Sequence, residues 1–164
     1  MREMRLGRRA VTDRARIRAI IDACQVLRIG AQDAEGVFVV PVNFGVDWED
    51  GAPLPRFYLH SARAGRKAEA FRAAGARVAV ELDIDRGTIE GDYSCAYSRS
   101  YASIMGSGTV HEVADAGERV RALELIMARA APGAPASFTR EGLERVAVFR
   151  IDVDRMSAKE RSPR

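Results

Sequence analysis

The run from Val37 to Val46 alternates strictly. Phe38, Val40, Val42, Phe44 and Val46 share one face, and Val37, Val39, Pro41, Asn43 and Gly45 share the other. An extended segment with one wholly apolar face has to bury that face against a core, as strands of antiparallel sheets do. Pro41 narrows the choice further. It cannot donate a ladder hydrogen bond, so it marks a sheet edge or a bulge and leaves neighbouring backbone groups open to something that is not a strand. Asn43 is a polar side chain on a largely apolar stretch, and it either satisfies a nearby backbone group or stays free for a ligand.

Other segments supply partners for this strand. Thr12 or Asp13 can cap a helix with Ile17, Ile20, Ile21 and Cys24 on one face. Val26 to Ala31 is a strand by pattern, and Asp33-Ala34-Glu35-Gly36 is the turn that leads antiparallel into Val37–Val46. Residues 47–55 form a loop by their Gly and Pro content, and a strand over 56–60 is expected to complete the meander. A helix from about Gly65 to Ala74 follows, with Ala64, Ala68 and Phe71 as its apolar stripe. Arg77 to Asp83 alternates with Val78, Val80 and Leu82 inward, whereas residues 84–96 show no clear pattern.

A long strand is expected from Tyr101 to Val110, where glycines permit sharp coiling or a close ligand. Asp115 can cap a helix whose apolar face holds Val120, Leu123, Ile126, Met127 and Ala130, ended by Pro132 and Pro135. Residues 131–138 form a loop, Val146 to Val153 is the last strand, and the chain from Met156 is expected to be loose. The expected organisation is a basic arm over 1–9, one domain over 10–155 and a flexible tail over 156–164. The strands and helices together predict an α+β fold, a mainly antiparallel, barrel-like sheet of six strands with flanking helices.

The chain's 164 residues suffice for one core, and 47% hydrophobic with 30% charged residues is ordinary for a globular protein. Arg2, Arg5, Arg8, Arg9, Arg14, Arg16 and Arg18 concentrate positive charge at the start. No groove-reading motif accompanies them, so they are taken as a solvated arm rather than a nucleic-acid site. No apolar run approaches the roughly 20 residues that span a bilayer, and no signal peptide is evident. A cytoplasmic protein without membrane attachment is expected. Cys24 and Cys95 belong to no paired motif, so neither a disulfide framework nor a metal site is expected.

One stretch points to chemistry. Phe57 to Ser61 is an aromatic-rich strand that ends at a hydroxyl, and Gly65, Arg66 and Lys67 follow at the start of the next helix. Hydroxyl, backbone N–H and cationic donors together suit an anion, phosphate best of all. The alternative is that Ser61 caps the helix while Arg66 and Lys67 are solvated surface charges.

Pro41-Val42-Asn43-Phe44-Gly45, then His60-Ser61-Ala62 with Gly65-Arg66-Lys67, then Tyr101-Ala102-Ser103-Ile104 closing at Gly108, resembles the FMN-binding split-barrel superfamily. Within it the chain looks most like the nitroimidazole reductase branch of the pyridoxamine 5′-phosphate oxidase-like proteins, over roughly residues 10–155. The resemblance implies a split β-barrel and a homodimer with FMN at the subunit interface. Arg66 and Lys67 would grip the phosphate with Ser61 as hydroxyl donor. Pro41, Val42, Asn43 and Phe44 would run beside the flavin ring, and Ser103 would reach the cofactor from the partner chain. His60 would lie close to the flavin as a catalytic residue, orienting substrate or supplying a proton; the alternative is a ring packed at a strand end.

Trp48 is the one tryptophan, and Phe149 to Arg155 lacks the arginine and tryptophan pattern that pyridoxamine phosphate oxidase uses for substrate. The resemblance therefore implies a flavin-dependent reductase, fed by NADH or NADPH and acting on a small acceptor such as a nitroaromatic, rather than that oxidase. The alternative is a flavin- or haem-binding module without turnover.

Overall fold

The computed structural model describes residues 5–162. Met1–Met4, which include Arg2 of the basic arm, and residues 163–164 of the expected tail lie outside the described residues. The strands are β1 (Ala10–Val11), β2 (Leu27–Asp33), β3 (Gly36–Val42), β4 (Gly45–Asp47), β5 (Arg56–Ala62), β6 (Arg77–Ile89), β7 (Ser98–Glu112) and β8 (Val146–Arg161). The helices are α1 (Arg14–Ala23), α2 (Arg66–Arg72), α3 (Ala116–Ala130) and α4 (Arg140–Arg145).

All strand pairs are antiparallel, in the order β3-β2-β6-β7-β8-β5-β4, with β1 on β8. β3 and β4 stand at opposite ends of that path, yet only Asn43 and Phe44 separate them in the chain. The sheet must therefore curl until its ends nearly meet, leaving a split where β3 and β4 do not pair. This is the expected α+β split barrel, with eight strands in place of six because the short β1 and β4 join the sheet.

The run Val37–Val46 is thus two strands, and residues 26–60 are not a meander. β5 pairs with β4 and β8, where Phe57 lies opposite Ile151 and Leu59 opposite Phe149, an apolar match from far along the chain. Gly45 shows why β4 departs from β3: a Cβ there would stand 2.7 Å from the Leu125 Cβ and 2.9 Å from the Ile126 backbone nitrogen, so α3 rests directly on this strand. Pro41 does sit on a strand at the end of the sheet path, as its chemistry requires.

One further expectation changes, at the tail, and two open segments are decided. Of residues 84–96, unassigned from sequence, 84–89 extend β6 past a bulge between Asp85 and Thr88, where Asp85 accepts the Gly87 N–H, and a single 3-10 turn at Ser94–Ala96 leads towards β7. Residues 156–161 are strand rather than loose tail, paired with β7 out to Tyr101 opposite Arg161 and with β1 at Lys159. Glu160 anchors that end by accepting from both Arg16 and Arg86. The glycines of β7 serve coiling: a Cβ on Gly108 would lie 2.3 Å from the Asp152 carbonyl oxygen, beside the register shift of β8.

The barrel interior is filled by Leu27, Ile29, Phe57, Leu59, Leu82, Ile104, Phe149 and Ile151, with Ile20 and Ile21 from α1 and Phe71 from α2 packed into the same core. Asp13 caps α1 by accepting the Arg16 N–H, and Asp115 caps α3 through Glu118 N–H. α2 is shorter than expected, and Ala64 precedes it, exposed. α3 buries Ala122, Leu123 and Ile126, while Ala130, expected inward, is exposed. The helix is turned so that Arg119 donates to the Leu143 and Val146 carbonyls and Arg129 to those of Ile21 and Cys24. α4, absent from the sequence expectation, is capped by Thr139. Among the described residues no helix is long and apolar enough to cross a membrane.

Candidate functional site

β5 sorts its residues by the two-residue period of a strand. Phe57, Leu59 and Ser61 point into the barrel, whereas Tyr58 and His60 point outward, Tyr58 into a second apolar cluster beneath α3 with Val113, Leu123, Ile126 and Val148. His60 and Ser61, adjacent in sequence, therefore face opposite ways. Ser61 is a strand residue opposite Ala147 and only 7% exposed. It does not cap α2; that role falls to Gly65, whose φ of 105° favours glycine and whose N–H donates to Glu69 Oε1 at 3.2 Å. Among the described residues the Ser61 hydroxyl makes no side-chain hydrogen bond.

The two cations at the start of α2 differ sharply. Arg66 is already engaged: Nε donates to Asp33 Oδ2 at 2.7 Å, and Nη2 donates to Asp33 Oδ1 at 2.9 Å and to the Gly36 carbonyl at 3.2 Å. Its guanidinium also lies 4.5 Å over the Phe38 ring. Lys67 is half-buried, has no carboxylate at ion-pair distance among the described residues, and burial pulls its pKa below the ordinary lysine value. Burial likewise lowers the His60 pKa, with the nearby Lys67 charge as a second cause. Both effects favour the neutral imidazole of His60.

Of residues 41–44, Pro41 and Asn43 are exposed while Val42 and Phe44 enter the core, Phe44 edge-on to Phe57 at 5.8 Å. Val42 and Phe44 can meet a ligand only through their backbone. Asn43 makes no side-chain hydrogen bond among the described residues; it lines a cavity of about 470 Å³ with Phe44, Cys24 and Arg129. Gly36, bonded to Arg66, and Pro41 are five residues apart on β3, roughly 17 Å at ~3.3 Å per residue. A larger cavity, about 830 Å³, lies elsewhere, between Arg8, Arg9, Glu90 and Arg161, and touches none of the expected site residues.

Ser103 does not join the others. It lies on the outer face of β7, opposite Asp83 and Lys159, whereas His60 pairs with Val148, whose carbonyl accepts the Val113 N–H. The ten residues from Ser103 to Val113 span on the order of 30 Å. One chain thus holds Arg66, Lys67, His60 and Ser61 at one end and Ser103 at the other. Sequence reasoning missed Asp33 and Phe38, the counter-ion and platform of Arg66. Asp33 showed only as a turn residue, because nothing local ties the β2–β3 turn to α2.

A model of the pyridoxamine 5′-phosphate oxidase family matches residues 13–160. The chain belongs to that family. This family member has the split-barrel fold of flavin-binding proteins, and a solved Bacteroides thetaiotaomicron structure, provisionally named for 5-nitroimidazole antibiotic resistance, is 30% identical to it. That match covers 92% of this chain and 85% of the other, with a TM-score of 0.75. The flavocytochrome Anf3 of Azotobacter vinelandii shares the fold at TM-score 0.80 and 22% identity, covering 98% and 73% of the two chains. A Mycobacterium smegmatis FAD and haem binding protein shares it at 0.78 and 23%, covering 93% and 73%. No curated protein matches this pyridoxamine 5′-phosphate oxidase family member at a significant level.

Proposed function

We propose that the chain is a cytoplasmic, homodimeric FMN-dependent reductase that takes electrons from NADH or NADPH and passes them to a small oxidised acceptor of the nitroaromatic kind. The observation that carries this reading is Lys67, a half-buried cation that no carboxylate among the described residues neutralises, beside His60. A buried ammonium without a counter-ion is costly unless an anion arrives, and a flavin phosphate is such an anion. The residues present fit this group: Lys67 for the phosphate and the free edge of β3 with Asn43 for the ring. The 30% identity to a protein named for 5-nitroimidazole resistance supports the acceptor class.

The outer face of the sheet supports the homodimer in this reading. Val37 and Val39 on β3 are 81% and 67% exposed and Met105 on β7 is 59% exposed, and on β2 and β6 between them lie Gly30 and Ala79 beside the Arg28–Glu81 ion pair. Such an apolar-flanked patch suits a second copy. A two-fold partner would bring its Ser103 to the end of the barrel that a single chain leaves without it.

When bound, the flavin supplies hydride acceptance from the nicotinamide and electron transfer to the acceptor. Lys67 and part of Arg66 hold the phosphate, and the β3 edge orients the ring. His60 would offer a hydrogen bond to the acceptor. The visible spectrum of purified protein tests the first step: a protein that remains colourless after FMN is added overturns the reading. Anaerobic mixing with NADH or NADPH, then with a 5-nitroimidazole, tests turnover.

A second reading, a flavin- or haem-binding module without turnover, is favoured by the fold shared with the flavocytochrome and with the FAD and haem binding protein. A bound flavin that neither nicotinamide reduces, or a Soret band on adding haem, would select it.

A further inference from the structure

We propose that Asp33 competes with the cofactor phosphate for Arg66 and so sets how tightly a phosphate-bearing flavin is held; this rests on the flavin reading above. A guanidinium has five N–H donors. Here three are committed, two to the Asp33 carboxylate as a bidentate pair and one to the Gly36 carbonyl. The Phe38 ring, 4.5 Å from the guanidinium carbon, holds the plane in place. The two donors left, on Nη1, face Glu35 Oε2 at 3.8 Å, too long for a hydrogen bond.

A phosphate approaching Arg66 has two options. It can take only the Nη1 end, and then a dianion sits close to the carboxylates of Asp33 and Glu35. Otherwise it takes the bidentate edge, and Asp33 loses its ion pair. Both options cost affinity, and Asp33 has a part in both. Asp33 cannot readily swing aside, because its Oδ1 also accepts the Glu35 N–H at 2.9 Å and its side chain is only 19% exposed. Lys67 has no such rival among the described residues. The pair that looks equivalent in sequence is thus one open cation and one throttled cation. The groove beside Arg66, about 450 Å³ and lined by Asp33, Glu35 and Glu69, carries three carboxylates around one guanidinium, which favours a rival role for Asp33 over a helping one.

The test is titration of apoprotein with FMN and, separately, with riboflavin, which lacks the phosphate. Asp33→Asn keeps the oxygen that accepts the Glu35 N–H but removes the charge, and Asp33→Ser keeps a turn-forming acceptor should the asparagine variant fold poorly. The expected result is FMN binding tightened roughly fivefold, the scale of a partly exposed ion pair, with riboflavin binding unchanged. Weaker FMN binding would show that Asp33 orients Arg66 for the phosphate, and unchanged FMN binding would show that Arg66 lies outside the phosphate site; either overturns the proposal alone. Failure of wild type and variants to bind both FMN and riboflavin overturns the flavin reading and this inference with it.

Discussion

Lys67 and His60 show how burial rather than composition makes a residue chemically distinct. Both have pKa values pushed below their ordinary range, first by burial, and His60 also by the neighbouring ammonium. Because Lys67 is the open cation, Lys67→Ala should weaken FMN binding by roughly 10- to 100-fold, the scale of a lost charge-assisted hydrogen bond. Arg66→Ala should cost less than roughly fivefold, since Asp33 already holds its bidentate edge. Fluorescence titration of each variant checks the order, and a larger loss at Arg66 would contradict it. For His60 the sign follows from linkage: a base whose pKa is lowered by folding binds protons more readily in the unfolded chain. Its contribution to stability is complete above the ordinary histidine value of 6.5 and is lost as pH falls below it. His60→Gln should therefore flatten the fall in melting temperature of apoprotein between about pH 7 and pH 5.

At the scale of elements, the strands end where side chains from elsewhere stop them or carry them on. β8 continues to Arg161 because Glu160 accepts from Arg16 and Arg86, which holds its carboxyl down to about pKa 2. That stability is present above the ordinary carboxylate range and is lost as pH falls from about 4.5 towards 2. Glu160→Gln should cost about 1 kcal/mol at neutral pH, allowing for the exposure of Arg16, as read from urea unfolding. Gly108→Ala tests the coiling of β7. The added carbon would meet the Asp152 carbonyl at 2.3 Å, so backbone must shift, at about 3 kcal/mol. An unchanged unfolding midpoint would show that β7 and β8 can part there without loss.

At the scale of the molecule, the exposed Val37, Val39 and Met105 are where the proposed second copy would dock. If it does, Val39→Asp should convert that dimer to monomer in sedimentation and lower FMN affinity roughly tenfold or more, because a charge would be buried and half the site would be missing. A monomeric wild type that binds FMN fully would refute the arrangement. Much of the architecture was legible beforehand. The alternation of Val78, Val80 and Leu82, the caps Asp13 and Asp115, and the edge position of Pro41 are local consequences of strand period, orphan N–H groups and a missing donor. The end of the Val37–Val46 strand, the pairing of β5 with β8 and the continuation of β8 past Met156 were not legible, since each depends on a residue far along the chain.

The same division holds for the site. The sequence by itself determined which residue types stand near the end of β5 and that Pro41 must sit at a sheet edge or a bulge, because these follow from a few neighbouring side chains. Only the tertiary structure decided that His60 and Ser61 face apart, that Ser103 stands about ten residues further along β7 than the level of His60, and that Asp33 already holds Arg66. Ion pairs and distances are set by the curl of the whole sheet, which brings the β2–β3 turn against α2 and carries β7 past both, and no local stretch of residues encodes that curl.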